Sequence, residues 1–215
     1  RPIEPGPYPF LMVDATYFKV RENHRTVSNA FMVAVGITGT GEREVIGFDV
    51  FDDESNTTWS SFIQGLKLRG LSDVLMYTSD AHPSIRYAMG NVFPDAVWQR
   101  CQFHFIRNIL DAAPKNYKAG MEAEIREMFN CETIAAARKR RDEILRDYSD
   151  VKVFPNPDSI IRLMGSVSID YSDALLSIRK LFYSTTMSKI TEKTKVYLVS
   201  LAHEQAQRAS SDSEI

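Results

Sequence analysis

The run Phe10 to Val20 limits the possible folds more than any other stretch: it is almost wholly apolar and β-prone, as expected of a central strand buried on both faces. One residue conflicts with that environment. Asp14 places a carboxylate inside the strand, and a bare carboxylate there is expensive unless a cation or several hydrogen bonds compensate. The plainer alternative is a strand-end aspartate turned toward solvent.

The segments that follow supply partners for that strand. Thr26 to Ile37 reads as a second strand, and the Gly39 and Gly41 turn leads into a third, Glu44 to Phe51, giving an antiparallel meander with short polar connections. From Ser55 to Leu68 the period changes to helical, with Trp59, Phe62, Ile63 and Leu66 on one stripe. Val74 to Tyr77 is a short strand ending in the polar Thr78, Ser79 and Asp80; a helix from Pro83 to Val92 and a strand around Ala96 to Arg100 come next. The order β-β-β-α-β-α-β-α predicts an α/β fold, a mixed five-stranded sheet with flanking helices of the ribonuclease-H-like kind. Beyond it, Gln102 to about Asp150 is helix-like, Pro155 and Pro157 interrupt, and 158–206 reads as two or three further helices before a polar end expected to be disordered.

Composition narrows the class. With 215 residues, 44% hydrophobic and 25% charged, the chain suffices for one sizeable core with a helical appendage. No apolar run approaches the roughly 18 to 20 residues of a membrane span, and no signal-peptide pattern opens the chain. Cys101 and Cys131 are too few for a disulfide framework, so the expected compartment is the cytoplasm. A net charge of -2 argues mildly against nucleic acid, although a metal-holding site must itself be acidic and a separate basic domain can supply the grip. The start at Arg1, without Met, reads as a piece of something longer.

Asp80 is the second candidate acid. If its strand lies beside the first, Asp14 and Asp80 converge. Mg²⁺ or Mn²⁺ takes oxygen ligands, commonly one or two carboxylates with water and phosphate completing the shell. Two such ions about 4 Å apart activate a water or a 3′-hydroxyl and stabilise the leaving oxygen of a phosphodiester. Capping of the helix that begins at Pro83 is the other role open to Asp80. Cys101 and His104 open a helix directly after the fifth strand; Cys131, His24, His82 and His203 do not complete a zinc-finger spacing with them. Cys101 is therefore expected to be a small buried residue, with His104 facing the active-site edge. Trp98, Arg100 and Arg107, with Lys115, Lys118 and Arg126, are candidate base-stacking and phosphate contacts. The interleaved charges from Arg138 to Asp147 read first as a solvated helix with internal salt bridges.

Three stretches carry a family likeness. Tyr8-Pro-Phe-Leu-Met-Val-Asp-Ala-Thr-Tyr-Phe-Lys-Val-Arg-Glu-Asn, then Thr78-Ser-Asp-Ala-His, then Phe93-Pro-Asp-Ala-Val-Trp-Gln-Arg-Cys-Gln-Phe-His-Phe-Ile-Arg-Asn, resemble the mutator-type transposases of bacterial insertion sequences in order and spacing. A fourth stretch, beginning at Val153-Phe-Pro-Asn-Pro, resembles the family's segment near its C-terminus. The resemblance implies a DDE transposase, a polynucleotidyl transferase that uses divalent metal to cut transposon ends and join them to target DNA. Asp14 and Asp80 would be its first two metal-binding acids, Cys101 and His104 its Cys-x-x-His signature, and DNA and further copies of the chain its partners.

It also implies a division into a catalytic core at 1–104, the start of an all-helical insertion at 105–150, C-terminal helices at 151–206 and a disordered tail at 207–215. The family's third acid, a glutamate in a Thr-Asn-Pro-x-Glu-Arg-x-Asn type motif, should lie between the insertion and the Phe-Pro-Asn segment. Here Asp150 runs into Val151-Lys-Val-Phe-Pro-Asn, with no room for it. Glu192 has the wrong neighbours, and Glu122, Glu124, Glu127 and Glu143 belong to helices of the insertion. Strand cleavage is therefore expected to be impaired. A non-enzymatic DNA-binding or protein-interaction remnant is the alternative, and a nuclease on the same fold is a third reading that the Cys-x-x-His signature disfavours.

Overall fold

The computed structural model describes residues 2–4, 6–22, 25–149, 187 and 190–211. Five strands, β1 (Phe10–Glu22), β2 (Arg25–Ile37), β3 (Arg43–Phe51), β4 (Met76–Ser79) and β5 (Val97–Arg100), form one sheet in the order β3-β2-β1-β4-β5. β1 pairs antiparallel with β2 and parallel with β4, and β2 pairs antiparallel with β3, so the sheet is mixed. This is the ribonuclease-H-like arrangement expected from the element order. The apolar β1 is central because both of its edges are paired.

Alternation along the strands assigns the faces. Leu11 and Val13 of β1 and Ala30, Met32 and Ala34 of β2 are buried against Trp59, Ile63 and Leu66 of α1 (Asn56–Leu68) and Ile85, Ala88 and Met89 of α2 (Pro83–Val92). The stripe of α1 is the one its sequence period predicts. Ser55 caps that helix by accepting from the Thr58 N–H at 3.2 Å, and Gly70 at φ 114° ends it, with Leu71 N–H donating back to Leu66 C=O at 3.1 Å. The strand β3 approaches α1 closely at Gly47, where a Cβ would lie 2.5 Å from Leu66 Cδ2. The other face of the sheet is more open: Met12, Phe18, Phe48 and Val50 are all exposed.

The chain divides into two compact units, 1–99 with 181–215 and 100–180. In the first, a helix that we number α6 (Glu192–Ser211) buries Leu198, Leu201 and Ala202. Its Gln205 amide holds both backbone groups of Trp98: the Trp98 N–H donates to Oε1 at 2.9 Å, and Nε2 donates to the Trp98 C=O at 3.0 Å. The side chain thereby acts as a one-residue strand on the sheet edge, which otherwise presents open hydrogen-bonding groups. The helix runs on to Ser211, so the disordered tail expected from residue 207 is helical through that point. A Glu204–Arg208 pair at 3.5 Å, one turn apart, supports its last turns.

In the second unit, α3 (Gln102–Ala112), α4 (Lys118–Phe129) and α5 (Ile134–Asp147) enclose Phe105, Ile109, Met121, Ile125, Phe129 and Ile144. The charges between Arg138 and Asp147 form salt bridges within α5, as their interleaving predicts, and Arg140 also pairs outside it with Glu124 and Glu127 of α4. Arg140 meets Glu127 at 2.9 Å, Glu143 at 3.3 Å and Glu124 at 3.5 Å. The Phe154 to Pro157 break and the helices expected between 158 and 186 lie outside the described residues. No helix among the described residues is long and apolar enough to cross a membrane.

Candidate functional site

The parallel register between β1 and β4 pairs Phe10 with Met76, Leu11 with Tyr77 and Met12 with Thr78. Two residues further along the chain come Asp14, still within β1, and Asp80, the first residue after β4. Side chains alternate with a period of two along a strand, so Asp14 shares the face of Met12; Asp80 follows directly on the β4 segment that pairs beside Met12. β4 ends at Ser79 while β1 continues to Glu22, which leaves this corner without a neighbouring strand on the β4 side. Asp14 and Asp80 are accordingly half-buried, between the fully buried carboxylate and the solvent-facing one that the sequence left open.

Each carboxylate is held by a short local bond. Asp14 Oδ1 accepts from the Ala15 N–H at 3.0 Å, and Asp80 Oδ1 accepts from the His82 N–H at 3.0 Å. His82 is the N-cap of α2, its Nδ1 accepting from the Ser84 N–H at 3.3 Å, so the capping role left open for Asp80 falls to His82 instead. The N-cap of α2 lies two residues beyond Asp80, so the positive end of that helix dipole faces this segment. Carboxylate oxygens such as those of Asp14 and Asp80 are the donor type that Mg²⁺ takes from a protein. No group of three or more His, Cys, Asp or Glu side chains placed to hold a metal occurs among the described residues.

The remaining candidates divide differently. Trp98 is buried, its Nε1–H donates to Ser79 Oγ at 3.0 Å, and the Arg86 guanidinium lies 4.5 Å over its ring. The indole is already enclosed, which corrects the expectation that it stacks on an exposed base. Arg100 is also buried, its guanidinium 5.3 Å from the Phe105 ring, and so does not form part of an open phosphate-contacting surface. Arg107 is exposed, 3.8 Å from Asp111 one helical turn away, and keeps the geometry of a solvent-facing cation. Cys101 is half-buried at the N-cap of α3 without a side-chain capping bond, rather than fully buried. His104, in the first turn of α3, is likewise half-buried and meets the Phe103 ring edge-on at 5.4 Å. Arg100, Cys101, His104 and Arg107 belong to the second unit, Asp14, Asp80 and Trp98 to the first.

Local pattern reading passed over two residues. Ser79 entered only as part of a polar strand end, yet it is 1% exposed and bonded at both ends of its hydroxyl. Gln205 carries no local signal, because its partner is 107 positions away.

The sheet order and its flanking helices define a ribonuclease-H-like fold. A family model described as "Transposase, Mutator family" matches residues 1–153, well over half the chain. The chain belongs to that family. Its relatives include the transposase for insertion sequence element IS256 in transposon Tn4001 of Staphylococcus aureus, 40% identical over 143 residues, which span 66% of this chain and 37% of the relative. The transposase for insertion sequence element IS1081 of Mycobacterium tuberculosis is 43% identical over 115 residues, 54% of this chain and 28% of the relative. The chain thus spans about a third of the length of the curated relatives it matches. Among solved structures, the HTLV-2 integrase catalytic core domain in complex with magnesium (trimeric form) aligns over 74% of this chain and 94% of its own at 14% identity, with a TM-score of 0.29. A superposition that loose adds nothing to the family assignment.

Proposed function

We propose that the chain is the catalytic-core portion of a DDE-type transposase, a polynucleotidyl transferase for metal-dependent DNA cleavage and strand transfer in which Asp14 and Asp80 hold the metal. The observation that carries this reading is the β1–β4 register, which sets Met12 beside Thr78, two residues before Asp14 on one segment and before Asp80 on the other. Mg²⁺ or Mn²⁺ bound there would supply Lewis-acid polarisation of a phosphodiester and a more acidic attacking hydroxyl. The protein's part is to hold both carboxylates aimed at the same point. Asp14 does so from a strand paired on both sides at its start, Asp80 through its bond to the His82 N–H.

The third acid is the weak element. Glu122 is bonded to Arg126 at 2.7 Å, and Glu124, Glu127 and Glu143 are gathered around Arg140, so these side chains are occupied in the helical unit. A two-carboxylate site holds its metal less firmly than a three-carboxylate one, and cleavage is slowed by orders of magnitude. DNA, at transposon ends and target, is the partner class this reading requires, and the intact protein works as an assembly of copies.

The engagement of Glu122, Glu124, Glu127 and Glu143 in ion pairs of the helical unit favours one second reading, a remnant that binds DNA or intact transposase without turnover. Supercoiled plasmid incubated with the chain and Mn²⁺ separates the two. Nicking that disappears in Asp14→Ala and Asp80→Ala supports the enzyme, and stoichiometric binding with no nicking supports the remnant. Nicking that survives both substitutions removes the aspartates from the chemistry.

A further inference from the structure

Asp80 stands one residue past the end of β4, where the sheet's own hydrogen bonds no longer fix the chain. A buried relay takes over. The Trp98 Nε1–H donates to Ser79 Oγ at 3.0 Å, and the Ser79 hydroxyl donates to the Asp80 C=O at 2.7 Å. The direction is fixed by chemistry: an indole N–H only donates, so the serine oxygen must accept from it and spend its single proton on the carbonyl. Such a chain polarises along its length, and both of its side chains are sealed from water, Ser79 at 1% and Trp98 at 7% exposure.

Trp98 itself is immobilised from three directions. Gln205 holds its backbone N–H and C=O, Arg86 covers its ring, and Ser79 takes its N–H. At the far end, Asp80 is gripped twice, its carbonyl by Ser79 and its Oδ1 by the His82 N–H.

We propose that Trp98 and Ser79 are positioning residues for the Asp80 carboxylate, transmitting the rigidity of the α6-capped edge strand to the metal corner; this rests on the reading of Asp80 as a metal ligand. Removing the Ser79 hydroxyl releases the Asp80 C=O, and removing the Trp98 N–H lets the Ser79 hydroxyl turn away from it; either change loosens the aim of a carboxylate then held only by the His82 N–H. Groups that orient a ligand in this way typically change metal affinity by roughly 10- to 100-fold when removed.

The test is Mn²⁺ binding to the whole chain, followed by the loss of the free-ion electron paramagnetic resonance signal, in the parent, Ser79→Ala, Trp98→Phe and Asp80→Asn. Far-UV circular dichroism monitors the fold, and the Trp98 indole N–H resonance reports the relay bond. The expected result is that Asp80→Asn abolishes binding, while Ser79→Ala and Trp98→Phe weaken it by roughly 10- to 100-fold with the fold retained. In Ser79→Ala the indole resonance also shifts and exchanges faster. Should Trp98→Phe fail to fold, Ser79→Ala carries the test alone, since it removes a single oxygen atom. Parent-like binding in Ser79→Ala beside abolished binding in Asp80→Asn overturns the relay and leaves the metal reading standing. Parent-like binding in Asp80→Asn, or no binding in the parent, overturns the metal reading and the relay with it.

Discussion

Replacing Gln205 by alanine tests how the sheet edge is closed. The substitution removes two hydrogen bonds, at 2.9 and 3.0 Å, each contributing about 1 kcal/mol net. It also leaves the N–H and C=O of a residue only 7% exposed facing a helix instead of a partner, which adds about 1 to 2 kcal/mol where water does not fully replace the amide. The expected loss is about 2 to 4 kcal/mol. For a chain of this size that lowers the urea midpoint by about 1 M at an unchanged slope. Fluorescence is the suitable probe, because Trp59 and Trp98 both lie in the sheet-containing unit. Gln205→Glu separates the two bonds, since a carboxylate still accepts from the Trp98 N–H but has nothing to donate to its C=O. A Gln205→Ala midpoint corresponding to less than about 0.5 kcal/mol of destabilisation, the range of ordinary surface substitutions, would refute the idea that the amide stands in for a strand.

Two further expectations follow from packing and charge. Gly47→Ala places a Cβ 2.5 Å from Leu66 Cδ2 and 3.2 Å from Arg69 Nη1, and should cost about 1 to 3 kcal/mol by overpacking, read as a lowered melting temperature. Added to Leu66→Ala it should cost less than the sum of the two single changes. Burial, then the hydrogen bond to Glu124, raises the Tyr148 pKa above 10.0, so its contribution to stability is complete below about pH 10 and is lost as pH rises through the folded-state value. Tyr148→Phe should flatten that alkaline decline, measured by circular dichroism during urea unfolding, leaving the share of Tyr17, which is raised by burial and by Glu54. An unchanged decline would contradict the assignment.

Element order was legible in the sequence, and the two candidate acids stood out in it, because each leaves a local mark. Asp14 interrupts an apolar strand, Asp80 follows a short one, and the α1 stripe repeats at helical spacing. Trp98 was misread for want of such a mark. An aromatic residue on a short strand looks the same whether its edge is open or covered, and the covering helix begins 94 positions later, at Glu192. Arg100 was misread in the same way, since charge suggests exposure and only the fold shows Phe105 beneath it. The polar stretch after residue 206 reads as disordered by composition, but charge pairs one turn apart and the apolar contacts of Leu198, Leu201 and Ala202 carry the helix to Ser211.

The most direct test of the central claim is a calorimetric Mn²⁺ titration of the chain beside Asp14→Ala and Asp80→Ala, with the fold of each verified. The two-carboxylate account predicts saturable binding in the parent and its loss in both variants, with the circular dichroism spectrum preserved. Equal affinity in all three proteins would contradict it.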